Sequence, residues 1–304
     1  MKNIIERVEE KFIKFSLLFA TIISILITFG ILFSILFEAI RFFELRPLSY
    51  FFTGVEWSPG IENSKFGALP LFLGTFLITI IAMIVAIPIG LGSAIYMSEY
   101  ASFKTRTKLK PLQEMLASIP TVVYGFFALL VVAPFIVKVS NFFGFEASFN
   151  SSLASGIVMG IMIIPLISSL SDDAINAVPT SQRRASLALG MTKSETITNI
   201  VLPSAMPGII SAILLAFSKA LGETMIVVMA AGARPNLTMN PFDDMMSVTV
   251  SIVNTLVSDH SFSSAESLSA FALGLVLFFA TLIINIISVI MIRKFKKKYK
   301  VNTL

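Results

Sequence analysis

Lys219, Glu223 and Thr224 lie within an apolar run that extends over about residues 207–232. They are the residues of this chain best placed to do chemistry on an anion. A lysine ammonium attracts an oxyanion, and a threonine hydroxyl can donate to one. If the run is a single helix, the i, i+4 spacing projects Lys219 and Glu223 from one face, where they partly neutralise each other. A charge at the middle of a bilayer costs about 2.5–3.5 kcal/mol on insertion scales. Two roles would account for it. One is an ion pair that locks neighbouring helices; the other is a polar position on a substrate path.

Other candidates carry less. Asp172 and Asp173 are adjacent carboxylates, a pairing that can do acid–base work. They stand where an apolar run ends, so they read as markers of the water boundary. His260 is the only histidine and lies in a polar loop, where it reads as solvated. The chain has no cysteine, which excludes disulfides, thiolate catalysis and thiolate metal sites. Neither a G-x-x-x-x-G-K-[ST] phosphate cradle nor an H-E-x-x-H zinc motif occurs. The chain holds no cofactor motif of its own.

The elements that must position Lys219 follow from composition. Of 304 residues, 56% are hydrophobic and 13% charged, against roughly 25% charged in soluble domains. A spanning helix needs about 20 mostly apolar residues. Six runs qualify, at about residues 15–40, 66–97, 115–137, 153–170, 207–232 and 267–292. The expected fold class is therefore all-α, a polytopic bundle of six transmembrane helices. The first run is too long for a signal peptide and reads as a retained anchor. Prolines and glycines such as Pro88, Gly90, Pro120, Pro134 and Pro165 fall in or beside the spans, where neighbouring helices can satisfy the freed backbone groups.

The net charge of +5 reflects topology rather than nucleic-acid binding, because the basic residues collect at the ends of spans. Lys104, Arg106, Lys108 and Lys110, then Arg183, Arg184 and Lys193, fall in alternate loops on the side of both termini. The termini add Lys2, Arg7, Lys11 and Lys14, and Arg293 through Lys300. The opposite side has only Arg41, Arg46, Lys65, Lys138 and Arg234. The positive-inside rule places the richer side, with both termini, in the cytoplasm.

One inner loop, residues 172–206, has internal structure. Thr180 or Ser181 can cap a helix through Leu189, and Gly190 stands where a left-handed residue would end it. Thr192 and Glu195 have capping-box spacing and begin a second helix that would stop before Pro203. Leu187, Leu189, Ile197 and Ile200 give this hairpin apolar surface. A partner protein or lipid headgroups could cover it.

The same loop carries a family resemblance. Arg184-Ala185-Ser186, then Gly190, then Ile200-Val201-Leu202-Pro203 resembles the pattern E-A-A-x3-G-x9-I-x-L-P of bacterial ABC importer permeases. Ala185, Gly190, Ile200, Leu202 and Pro203 match; Arg184 replaces the glutamate and Ser186 the second alanine. The resemblance implies a loop, residue Glu195 included, that docks on a separate ATPase subunit. Lys219-Ala220-Leu221-Gly222-Glu223-Thr224-Met225 is similar to the R-A-L-G-E-T-M segment of the PstC-type phosphate permeases, with lysine for arginine. The stretches 66–70, 98–101 and 119–126 agree as well.

This implies a type I importer permease of MetI-like fold in a bacterial inner membrane, translocating phosphate by alternating access. It also implies two parts. Residues 1–65 hold the N-terminus, first span and an external loop; residues 66–304 form a five-helix core. The implied partners are a PstA-type permease, a PstB-type ATPase dimer binding ATP with magnesium, a PstS-type phosphate-binding protein and membrane lipid. Lys219, Glu223 and Thr224 would line the substrate path. Outer segments around Trp57 and at residues 243–257, the latter an expected amphipathic helix, would meet the binding protein. A permease for another oxyanion and a transporter independent of any ATPase are the alternatives.

Overall fold

The computed structural model describes residues 2–60, 64–258 and 264–298; His260 lies outside the described residues. Helix α1 (Lys2–Leu45) leads into α2 (Leu48–Thr53) and an antiparallel hairpin of β1 (Trp57–Ser58) and β2 (Lys65–Phe66). Next come α3 (Leu69–Ile95), with a π turn at Tyr96–Tyr100, and α4 (Phe103–Ala117). α5 (Thr121–Phe127), a π turn (Ala128–Val132) and α6 (Ala133–Phe142) run on as one rod, followed by α7 (Ser152–Asn176). α8 (Thr180–Ala188) turns into α9 (Lys193–Thr196), which continues through a π turn (Ile197–Val201) into α10 (Leu202–Leu221). α11 (Met225–Ala230), α12 (Val248–Val257) and α13 (Ala265–Lys298) complete the described chain.

Among the described residues, six helices are long and apolar enough to cross a membrane: Glu10–Leu45, Leu69–Tyr100, Thr121–Phe142, Ser152–Asn176, Lys193–Leu221 and Ala265–Arg293. They follow the order of the six apolar runs. α7 is the hub. It packs against α3, α10, α11 and α4. Helices in lipid gain little from burying apolar surface, so they associate through close packing of small residues. Gly156 and Gly160, one turn apart on α7, supply it. A Cβ at Gly160 would lie 2.8 Å from the Ala82 carbonyl oxygen on α3, and one at Gly156 would lie 2.6 Å from Ile81 Cγ2. Gly90 on α3 answers from the other side, where a Cβ would fall 2.9 Å from Ile167 Cβ.

α1 is different in kind. None of its most apolar 18-residue window is buried, and it packs along α13. From Glu10 onward, only its C-terminal end is enclosed. There Phe42 meets Phe51 and Phe66 edge-on, at 5.7 and 5.4 Å between centroids. Trp57 on β1 closes the same cluster against Phe66 at 5.9 Å.

Several expectations are corrected. The third span begins at Thr121 rather than near residue 115, because Met115 belongs to α4, a separate helix packed along α7. Pro203 does not end the helix begun at Thr192. Leu202 N–H donates five residues back to Ile197 O in a π turn, and the widened turn lets the rod run on past Pro203 into α10. Thr180 is the first residue of α8 rather than its cap, a place taken by Pro179. The fifth span is not one helix, since α10 stops at Leu221 and α11 starts at Met225. Finally, the expected outer helix at residues 243–257 begins only at Val248, capped by Ser247, and its first turns are buried in the bundle.

The glycine contact between α3 and α7 is testable. Gly160→Val in detergent-solubilised protein should cost about 1–3 kcal/mol, the usual range for overpacking, and lower the melting temperature. Gly92→Ala, where nothing lies within 4 Å of a Cβ, should not lower it, since alanine is the better helix former. Equal melting temperatures for both variants and the parent would refute the close approach.

Candidate functional site

The break after α10 is built by local hydrogen bonds. Gly222, a poor helix former, stands at the end of α10. The Glu223 carboxylate then turns back to accept from Met225 N–H at 3.2 Å, the first donor of α11. Its carbonyl accepts from Thr249 Oγ1 of α12 at 2.9 Å. Val248 N–H in turn donates to Thr75 Oγ1 on α3 at 2.9 Å. Thr249 of α12, a helix itself tied to α3 through Thr75, thus anchors the interruption and answers part of what the broken backbone needs.

This geometry separates the two charges. Glu223 is buried, whereas Lys219 is exposed at the side of α10. Among the described residues no ion pair joins them. The i, i+4 pairing expected for a continuous helix fails because the helix ends between them. Thr224 is half-buried, and its hydroxyl reaches only the Gly222 carbonyl, at 3.5 Å. Lys219 instead borders a cleft of about 200 Å³ lined also by Lys110, Gln113 and Glu114 of α4 and by Met162, Pro165 and Ser169 of α7. Met162 and Pro165 lie near the midpoint of α7, so Lys219 sits at mid-span depth.

α4 climbs along the lower half of α7 in the opposite direction. Arg106 meets Asp172 at 2.8 Å, Lys110 meets Asp173 at 3.3 Å, and Gln113 Nε2 donates to Ser168 Oγ at 3.1 Å. Gln113 also donates to Ser93 Oγ of α3 at 2.8 Å, joining three helices. Asp172 is fully buried and also accepts from Asn176 Nδ2 at 2.8 Å. It is therefore a packed structural carboxylate as well as a residue near the end of a span, whereas the adjacent Asp173 is 61% exposed. Hydropathy cannot tell a wetted carboxylate from a buried, paired one. Losing Arg106 would leave the buried Asp172 carboxylate without its nearest cation, so the pair holds α4 in place.

The hairpin of α8 and α9 forms as its signals require. Gly190 has φ +84°, the left-handed conformation that glycine adopts without penalty. Thr192 N–H donates to Glu195 Oε2 at 2.8 Å, and Glu195 N–H donates to Thr192 Oγ1 at 3.3 Å, completing the capping box. Ser186 Oγ bonds Thr196 Oγ1 at 2.7 Å, so the serine that departs from the alanine pattern ties the two helices together. Arg184, Ala185 and Glu195 are exposed, and Ile200, Leu202 and Pro203 half-buried. Leu187 and Leu189 are exposed, and Leu189 lines a cleft of about 430 Å³ with Ala185, Ile200 and Pro203.

The residues that fasten this hairpin to the bundle were not singled out by sequence. Arg183 pairs with Glu99 in the π turn after α3 and donates to the Ile175 carbonyl of α7 at 2.7 Å. Lys193 donates to the Glu99 carbonyl and lies 4.8 Å from the Tyr100 ring centroid. In the sequence, Arg183 and Lys193 count only toward topology, and Glu99-Tyr100 only toward resemblance. No spacing rule links positions so far apart.

Comparisons with known proteins agree with this architecture. Residues 86–301 match the family of binding-protein-dependent transport system inner membrane components. The chain is 35% identical over 251 residues to the probable ABC transporter permease protein YqgH of Bacillus subtilis, covering 83% of this chain and 78% of that protein. It is 31% identical over 276 residues to phosphate transport system permease protein PstC 1 of Mycobacterium tuberculosis, covering 81% and 82% respectively. In fold it resembles a chain of the inward-facing MetNI methionine ABC transporter, with TM-score 0.56 at 16% identity, covering 73% of this chain and 93% of that one. With this match and these relatives, the chain belongs to the binding-protein-dependent transport system inner membrane components, as an ABC-transporter permease of PstC type.

Proposed function

We propose that this permease moves inorganic phosphate inward by alternating access, with Lys219 as a cationic point on the path. The observation that carries the reading is the position of Lys219. Its ammonium stands at mid-span depth, beside a break in α10, at the edge of a cleft, and without an ion-pair partner among the described residues. An uncompensated charge there favours an anion. Glu223 acts one step removed, fixing the break that presents Lys219, and Thr224 offers a hydroxyl beside it. The PstC proteins that resemble this chain are named for phosphate transport, which supports phosphate over other oxyanions. Lysine in place of the arginine typical of that segment keeps the charge but supplies a point charge rather than a bidentate fork.

The hairpin around Gly190 is then the cytoplasmic coupling loop, in accord with the Lys/Arg asymmetry, and both termini are cytoplasmic. Its exposed Arg184, Leu187 and Leu189 fit a groove on an ATPase dimer of PstB type, where ATP and magnesium bind. A PstA-type permease covers the Lys219 face, and a PstS-type protein delivers phosphate from outside. Closure of the ATPases pushes the hairpin; Arg183 and Lys193 pass the movement to α3 through Glu99, and Arg183 passes it to α7 through the Ile175 carbonyl. The bundle is inserted in the bacterial inner membrane, with α1 standing outside a core of five spans.

Two experiments test this reading in proteoliposomes holding the full complex. Lys219→Met should lower ATP-dependent phosphate uptake about tenfold or more, the usual scale for losing one charge-assisted hydrogen bond, with assembly intact. Lys219→Arg should retain uptake, and normal uptake in the methionine variant would remove Lys219 from the path. Gly190→Val should lose ATPase copurification and uptake together, because a β-branched residue is strained at positive φ. Gly190→Asn, which tolerates that conformation, should keep both. Copurification and transport by the valine variant would refute docking through this turn.

A further inference from the structure

We propose that the cleft between α4, α7 and α10 holds a second oxyanion station on the hairpin side of Lys219, with Lys110 as its cation. The proposal rests on the reading that Lys219 lies on the phosphate path. Lys110, Gln113, Glu114 and Ala117 recur every three or four residues, so one face of α4 lines this cleft opposite Ser169 of α7. Two lysines and one carboxylate border it, leaving a net positive charge. Its remaining wall includes Met162, Pro165 and Leu166, apolar groups that strengthen any charge interaction inside.

The bonding of Lys110 sets it apart from its neighbours. The buried Asp172 is already served by Arg106 at 2.8 Å and Asn176 at 2.8 Å. Lys110 stands back from it at 3.7 Å, and its nearer partner Asp173 is 61% exposed. An exposed pair of this kind contributes little. Lys110 can exchange Asp173 for a substrate oxygen without disturbing the buried pair. Gln113 is committed to Ser93 and Ser168 and forms a fixed floor. A path needs sites that bind weakly and in series, so that an anion can leave each one. Lys110 gives an anion leaving Lys219 a second cation before water, and Glu114 keeps that hold weak.

The chain has no cysteine, so Ser169→Cys places its single thiol in this cleft. In inside-out vesicles holding the full complex, an anionic methanethiosulfonate would modify that thiol from the cytoplasmic side. Phosphate should slow the modification about fivefold, and Lys110→Gln in the same background should abolish the protection. In uptake assays Lys110→Gln should lower phosphate transport severalfold, while Lys110→Arg and Asp173→Asn retain it. Modification indifferent to every oxyanion, with normal uptake by Lys110→Gln, would overturn the station yet leave the Lys219 reading standing if Lys219→Met still fails. An equal loss in Asp173→Asn would make Lys110 a brace and overturn the proposal. Protection by another oxyanion but not by phosphate would support the station and overturn phosphate as the substrate.

Discussion

The approach of α3 to α7 sets the frame on which everything else is hung. Two helices in lipid gain little from hiding apolar side chains, so they hold together only where their backbones come close. Gly156, Gly160 and Gly90 permit that approach along much of both helices. Once α7 is fixed, its other faces receive α4, α10 and α11, and the depths of Lys110 and Lys219 follow. The charged helix α4 can run beside α7 because Asp172, Ser168 and, from α3, Ser93 meet its polar groups in turn.

A second constraint is that irregular backbone inside a membrane must find partners within the protein. Each interruption is answered locally. Two π turns keep their helices running by donating five residues back, and a third closes the end of α3 in the same way. The gap between α10 and α11 is held by Glu223 and by Thr249 of α12. These repairs place rigid joints in the elements that the proposed transport cycle would move. The hairpin is fixed to the π turn after α3 rather than to loose chain, so a push on it reaches the core directly.

Composition made the six spans legible, because length and hydropathy suffice to define a helix that crosses lipid. The hairpin was legible for a different reason. Gly190 and the Thr192–Glu195 box are local devices whose geometry is contained in a few residues. The break at Gly222–Thr224 was hidden, since an apolar run reads the same whether or not its helix is continuous. That misreading put Lys219 and Glu223 on one face. The G-x-x-x-G of Gly156 and Gly160 was visible, but its meaning depends on which helix lies opposite. Asp172 and Arg183 were beyond reach for the same reason, as their partners Arg106 and Glu99 come from distant segments.

The exposed flank of α1 bears on how the protein is made. Its side chains are apolar on every side, with Phe15, Leu18, Phe29 and Phe33 all open in the folded chain. Such a helix can leave the translocon for lipid as soon as it is synthesised. It then waits alone, because its packing partner α13 starts only at Ala265. α4 and α10 have no such freedom, since each carries charges that lipid would reject until α7 is beside it. α1 can thus enter lipid before the helix that holds it in place is made, while the charged segments between the two need α7 for shelter.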